Sequence, residues 1–191
     1  MKNKKGFTLI ELIAVVVILG IIMLIAVPNI LSTLEKNKKE TFLKDAQVLA
    51  GAAEYKISSD TSVPEPDTYN IIIFRLADLP TAALSESPYG TNYSQTKSFV
   101  AVVKNRTDAG TTFQRKFYVH LLACTDDDCT VDSDENRGIN LSVIDDLNTS
   151  SRFALVEQGQ DVSIDLLNDQ QKIRQIVGKV DTAPIIVYNG A

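Results

Sequence analysis

Between Phe7 and Val27 the chain runs 21 residues with a single charged side chain, Glu11, and no other feature so limits what it can fold into. Coiled as an α-helix, such a stretch is about 31 Å long, enough to cross the apolar core of a bilayer. Lys2, Lys4 and Lys5 precede it, a flank that keeps the amino end cytoplasmic and directs the bulk of the chain outward. A secretory signal has a shorter apolar region closed by a small-x-small cleavage site. Ile25-Ala26-Val27-Pro28-Asn29 offers none.

The helical pattern continues past Pro28. Ile30, Leu31 and Leu34 extend an apolar stripe, and Phe42, Ala46, Leu49, Ala53 and Ile57 resume it at intervals of 4, 3, 4 and 4, the spacing of one helix face. Glu35, Lys36, Lys38, Lys39, Glu40, Lys44 and Asp45 occupy the other face. One helix is expected from near Phe7 to about Ser58, roughly 75 Å in length. It is apolar all round at first and amphipathic later. A helix of that length outruns a small globule, and its first half needs lipid or other helices to cover it.

Glu11 is the exception in the apolar run. A carboxylate at membrane depth costs several kcal/mol, on the order of 2–7, unless it is neutralised or paired. One reading is a charge tolerated near the interface, little more than one turn in. The other needs a cation, and no Lys or Arg follows before Lys36. Cleavage between Gly6 and Phe7 would create one, a new terminal amine. Among parallel helices, that amine on one subunit could pair with Glu11 of a displaced neighbour. Misregistered packing would then strand both charges in apolar surroundings.

The stretch Lys4-Lys5-Gly6-Phe7-Thr8-Leu9-Ile10-Glu11 closely resembles the prepilin leader and amino-terminal motif of type IV pilins and pseudopilins, and the match runs over residues 1 to about 35. The resemblance implies cutting by a membrane prepilin peptidase after Gly6, methylation of the new amino-terminal Phe7, and a role for Glu11 in subunit docking. Gly20 and Pro28 match the family's helix-weakening positions. The chemistry agrees, since Pro28 has no N–H for the Leu24 carbonyl and glycine lowers helix propensity. An ordinary glycine and proline in a membrane helix is the simpler alternative.

After a turn-rich linker at Ser58–Asp67, Ile71–Leu76 is a short apolar run that periodicity leaves open between strand and helical turn. Ser87-Pro88-Tyr89-Gly90 marks a loop. Strands are expected at Ser98–Lys104 and Phe113–Ala123, joined through Asn105–Gly110 as a hairpin. Further on, Ile139–Leu147 reads as strand or helical turn and Arg152–Glu157 as strand. Asp161–Asn168 is expected to open a helix running to about Val177 and ended by Gly178. Pro184–Tyr188 closes as a strand. The fold class expected is α+β, a long amino-terminal helix packed by its carboxyl-terminal half on an antiparallel sheet, as in type IV pilins. The expected divisions are a leader at 1–6, a transmembrane or filament-core helix at 7–28, its amphipathic continuation at 29–58 and an extracellular head at 59–191. The carboxyl-terminal extension departs from simple pilin heads, which commonly end in a disulfide loop.

The chain carries 19 Lys and Arg against 24 Asp and Glu, and the leader holds three of the lysines. An acidic head of this kind argues against nucleic-acid binding through its overall field. Cys124 and Cys129, in Cys-Thr-Asp-Asp-Asp-Cys, fit a small disulfide loop if exported. With a single histidine in the chain they cannot complete a zinc site. That histidine, His120, lies in a strand pattern with no nucleophile motif, so catalysis is not expected and no cofactor is implied. Asp132, Asp134 and Asn136 match the first oxygen positions of an EF-hand loop. Arg137 stands where glycine is required and Val143 where glutamate is. This is not an EF-hand. A nonstandard calcium loop and a solvated acidic loop are the two readings.

The function expected is that of a structural subunit of a type IV pilus. It would wait in the membrane, be extracted by pilus assembly machinery and polymerise with its own kind into a helical filament on the cell surface. A pseudopilin of a secretion or competence system is the neighbouring reading. A signal-anchored surface binding protein that never polymerises is the rival from another class. No DNA or host receptor can be assigned.

Overall fold

The computed structural model describes residues 7–106, 112–126, 128–131, 133–144 and 152–189. It divides into two compact units, residues 1–38 and 39–191. The fold is α+β, a long amino-terminal helix with a mainly antiparallel sheet.

Helix α1 spans Leu9–Ser59 with Pro28 inside it. In the first unit its side chains are exposed almost throughout. Among the described residues this is the one helix long and apolar enough to cross a membrane.

In the second unit the last turns of α1 bury Phe42, Ala46, Leu49, Ala53 and Ile57. These are the five positions whose spacing marks the apolar face in the sequence. They lie on a sheet built from β1 (Ile71–Arg75), β2 (Asn92–Tyr93), β3 (Phe99–Arg106), β4 (Phe113–Cys124), β5 (Arg137–Val143), β6 (Val156–Gln158) and β7 (Ile185–Tyr188). The strand order is β6-β5-β4-β3-β1-β7, with β2 paired to the end of β4. Pairing is antiparallel except between β1 and β7, which run parallel with Ile71 opposite Ile185.

Successive strand residues point to opposite faces, and here both faces are covered. Ile72, Phe74, Val100, Val102, Val119, Leu121 and Ile139 pack with α1. Ile71, Ile73, Phe99, Ala101, Val103 and Leu141 pack on the other side with Leu166, Ile173 and Val177. Each large side chain removed from water contributes about 1.5–3 kcal/mol. This arrangement explains why Ile71–Phe74 gives no period in the sequence: with both faces buried, every residue is apolar.

The carboxyl-terminal extension is the cover of that second face, and its local structure differs from expectation. Arg152–Leu155 is a 3-10 turn, and only Val156–Gln158 is strand. Leu166–Asn168 is another 3-10 turn, and helix α2 occupies only Gln170–Ile176. The helix begins late because Asp169 caps it, its side chain accepting from the Lys172 amide at 2.9 Å. Gly178 follows with φ +70°, the left-handed conformation that ends helices. Of Ile139–Leu147, Ile139–Val143 lies in strand β5 and Ile144 has left it; residues 145–151 fall outside the described residues, as do 107–111 of the β3–β4 connection.

Candidate functional site

The amino end of α1 holds its own lock. The Thr8 amide donates to Glu11 Oε2 at 2.7 Å and the Thr8 hydroxyl donates to the same oxygen at 2.8 Å. The Glu11 amide returns a long bond to Thr8 Oγ1 at 3.4 Å. The first amides of a helix lack intrahelical acceptors. A Thr at the cap with a Glu three residues on satisfies two of them reciprocally. A carboxylate in the first turn also suits the positive end of the helix dipole. Thr8 was not singled out in the sequence, although Thr8-Leu9-Ile10-Glu11 spells the signature of such a cap. Glu11 therefore has partners within its own chain before any neighbour arrives.

Phe7 projects outward, 90% exposed, and Gly6 lies outside the described residues. Gly20 has open space where a Cβ would stand, so within this chain its effect is on helix propensity, about 1 kcal/mol against alanine. At Pro28 the ring denies the Leu24 carbonyl its usual donor. One residue on, the Asn29 side chain donates to the Ile25 carbonyl at 3.1 Å, and the Thr33 hydroxyl donates to the Asn29 carbonyl at 2.9 Å. Such backward side-chain bonds favour bending.

At the far end of β4, Cys124 and Cys129 are joined as a disulfide with a Cα–Cα distance of 5.3 Å. Inside the loop, Asp126 Oδ2 accepts from the Thr130 hydroxyl and amide, both at 2.6 Å. These bonds hold its carboxyl below the usual range. Asn136 is fully buried. Its Oδ1 accepts from the Thr125 amide at 3.3 Å and its Nδ2 donates to the Val131 carbonyl at 2.9 Å. Both polar ends thus serve the main chain. Asp134 is exposed, and Asp132 lies outside the described residues. Among the described residues no three His, Cys, Asp or Glu side chains gather as a metal site.

His120 is fully buried beside Phe99, with ring centroids 5.1 Å apart. Neither ring nitrogen makes a hydrogen bond among the described residues. Burial pushes its pKa down to about 4, the nearby Ser163 and Ile139 main chains offsetting only part of that cost.

Residues 1–27 match the family model of the prokaryotic N-terminal methylation motif. Type II secretion system core protein G of Klebsiella pneumoniae is 28% identical over 96 residues, 50% of this chain and 63% of that protein. The protein of the same name from Pectobacterium carotovorum subsp. carotovorum is 30% identical over 108 residues, 48% of this chain and 65% of that protein. The leader motif and these relatives support the type IV pilin and pseudopilin family. The core protein G of Vibrio cholerae serotype O1 is 40% identical over a shorter 60 residues, 31% of this chain and 41% of its own. The chain thus spans less than two thirds of the length of these relatives. No solved structure matches it.

Proposed function

We propose that this chain is a pseudopilin, a structural subunit that polymerises through its amino-terminal helix as part of a secretion machine. The observation that carries the reading is the first unit itself. From Leu9 to Val27 the helix is apolar on every side and exposed almost throughout, and its one charged residue there, Glu11, sits in the first turn. Exposed apolar surface on this scale calls for lipid or for copies of the same helix. Before assembly lipid covers it; in the filament, neighbouring helices do. A prepilin peptidase cuts between Gly6 and Phe7, and the new Phe7 amine is methylated. On docking, that amine of one subunit draws Glu11 of another out of its Thr8 cap.

The relatives named for type II secretion favour a pseudopilus over the surface pilus, with adhesion or motility, that the leader motif alone suggests. The reading is tested by terminal sequencing of the mature protein, which should begin at a methylated Phe7. Gly6→Val should leave the full leader in place. A mature protein that begins at Met1 and stays solitary in the membrane would falsify it. Deleting the gene should trap exported proteins in the cell envelope; loss of surface fibres with export intact returns the chain to the pilus class.

A further inference from the structure

Strand β4 carries opposite charges to opposite ends of the head. At its start, β3 closes on it with Arg106 opposite Phe113. Beside that end lies a recess of about 470 Å³ lined by Tyr69, Lys104, Arg106, Phe113, Lys179 and Val180, among others. Tyr69, Phe113 and Val180 are exposed there at 74%, 49% and 67%. The Arg106 guanidinium lies 5.7 Å from the Phe113 ring centre. Lys179 Nζ donates to the Thr68 and Lys104 carbonyls at 2.8 and 3.1 Å, which fixes the floor. Lys179 feels the opposing charge of Asp67, whose carboxylate is taken by the Tyr69 and Asn70 amides at 2.6 and 2.7 Å, and Glu65 is held by Arg115, opposite Lys104 on the neighbouring strand. Among the described residues no carboxylate forms an ion pair with Lys104, Arg106 or Lys179.

At the other end of β4, about 40 Å away for 12 residues of strand, the disulfide loop presents the reverse. Val131 stands 56% exposed, Asp128, Asp134 and Glu135 are exposed in the same stretch of chain, and the exposed Asp161 lines one recess with Asp134. None of these four carboxylates forms an ion pair among the described residues. The local cations are engaged: Lys97 pairs with Asp165 at 3.1 Å, and Arg137 donates to the Asp134 and Asn136 carbonyls.

We propose that the acidic loop of one copy docks in the Tyr69–Phe113 groove of a second copy, with Val131 as its apolar tip. This rests on the reading that the chain polymerises. Groove against groove would set cations together, and loop against loop would set carboxylates together. Only groove against loop neutralises both. A contact between two unlike surfaces leaves one of each unused on the end copies, so it can repeat from copy to copy, and where its rotation does not close a ring it runs on as a filament. The aromatic walls and Val131 supply the water-excluding centre, and the rim charges set partner and register.

The test uses full-length protein processed in the membrane, assembled from an equal mixture of unlabelled and 15N-labelled copies. Carbodiimide treatment and mass spectrometry should join Lys104 or Lys179 of one isotope to Asp128, Asp134 or Glu135 of the other. The double variant Lys104→Glu/Arg106→Glu should lower filament yield about tenfold, as should Asp134→Lys/Glu135→Lys, each keeping the parent melting temperature. Mixed together, the two variants should assemble again, because each groove then meets a loop of opposite sign. Links only within one isotope, parent-level yield from either variant, or no rescue on mixing would overturn the proposal. Loss with the groove variant alone would assign the groove to a different anionic partner. If the parent protein makes no filaments, the polymer reading falls first; filaments indifferent to both reversals sink only this docking.

Discussion

The amide and hydroxyl of Thr8 converge on one oxygen of Glu11, at 2.7 and 2.8 Å. This places two possible duties on one carboxylate, capping its own helix and meeting a neighbour's amine. The two separate chemically. Gln at the same position also closes a capping box but carries no charge. Glu11→Gln is therefore expected to keep the start of α1, read as hydrogen-exchange protection in detergent, and to keep membrane insertion. Filaments should nevertheless fall on the order of a hundredfold, because an orphaned partner charge costs about 3 kcal/mol or more. Glu11→Ala should lose both. Normal filaments from Glu11→Gln would leave the carboxylate with only its cap.

Tyr93 on β2 donates to Asp45 of α1 at 2.7 Å. Burial raises the Asp45 pKa, and the Tyr93 hydroxyl opposes that rise. Tyr93→Phe strands a half-buried carboxylate and should cost about 1–3 kcal/mol. The melting temperature is then expected to drop by several degrees, about 2–4 °C per kcal/mol for a chain of this size, with part of the loss recovered at low pH where Asp45 is neutral.

His120 ties stability to pH. Its folded pKa, about 4 against an ordinary 6.5, means that the unfolded chain binds the proton more readily between those values. Its contribution is complete above about pH 6.5 and is lost as pH falls towards 4. Full loss amounts to about 3 kcal/mol. Thermal melts at pH 7 and pH 4.5 should therefore differ less for His120→Phe than for the parent. Carboxylates such as Asp126, held low by Thr130, weaken both proteins alike on acidification. An equal pH response in the two proteins would remove His120 from the account.

Gly138 on β5 sits where the carboxyl-terminal extension crosses. A Cβ there would stand 2.7 Å from Val162 Cγ1 and 2.8 Å from Leu122 Cδ2. Gly138→Ala should cost about 1–3 kcal/mol through overpacking and loosen the segment around Val162. Limited proteolysis should then cut first near that segment, while residues of α1 stay protected.

Much of this protein was legible wherever one segment decides its own fate. The run from Leu9 to Val27 is helical, the structure in which one apolar segment satisfies its own main chain without help from another. Phe42, Ala46, Leu49, Ala53 and Ile57 announce one buried face because that face alone is covered. The Thr8–Glu11 cap was equally local and could have been found from its spacing of three.

What the sequence could not decide is whatever depends on a second surface arriving. Ile71–Phe74 is strand because β3 and β7 flank it and both its faces are covered, so its side chains carry no period. Asp161–Asn168 has helical spacing, yet it lies as turns because Val162 must reach Leu122 across Gly138 while Leu166 reaches the Ile71–Phe99 cluster farther along the same face of the sheet. Asn136 reads as an ion ligand in an acidic run until the fold commits both its ends to Thr125 and Val131. Local sequence fixes a helix whose partner is the solvent around it; burial from both sides erases the pattern, and only the packed chain restores the answer.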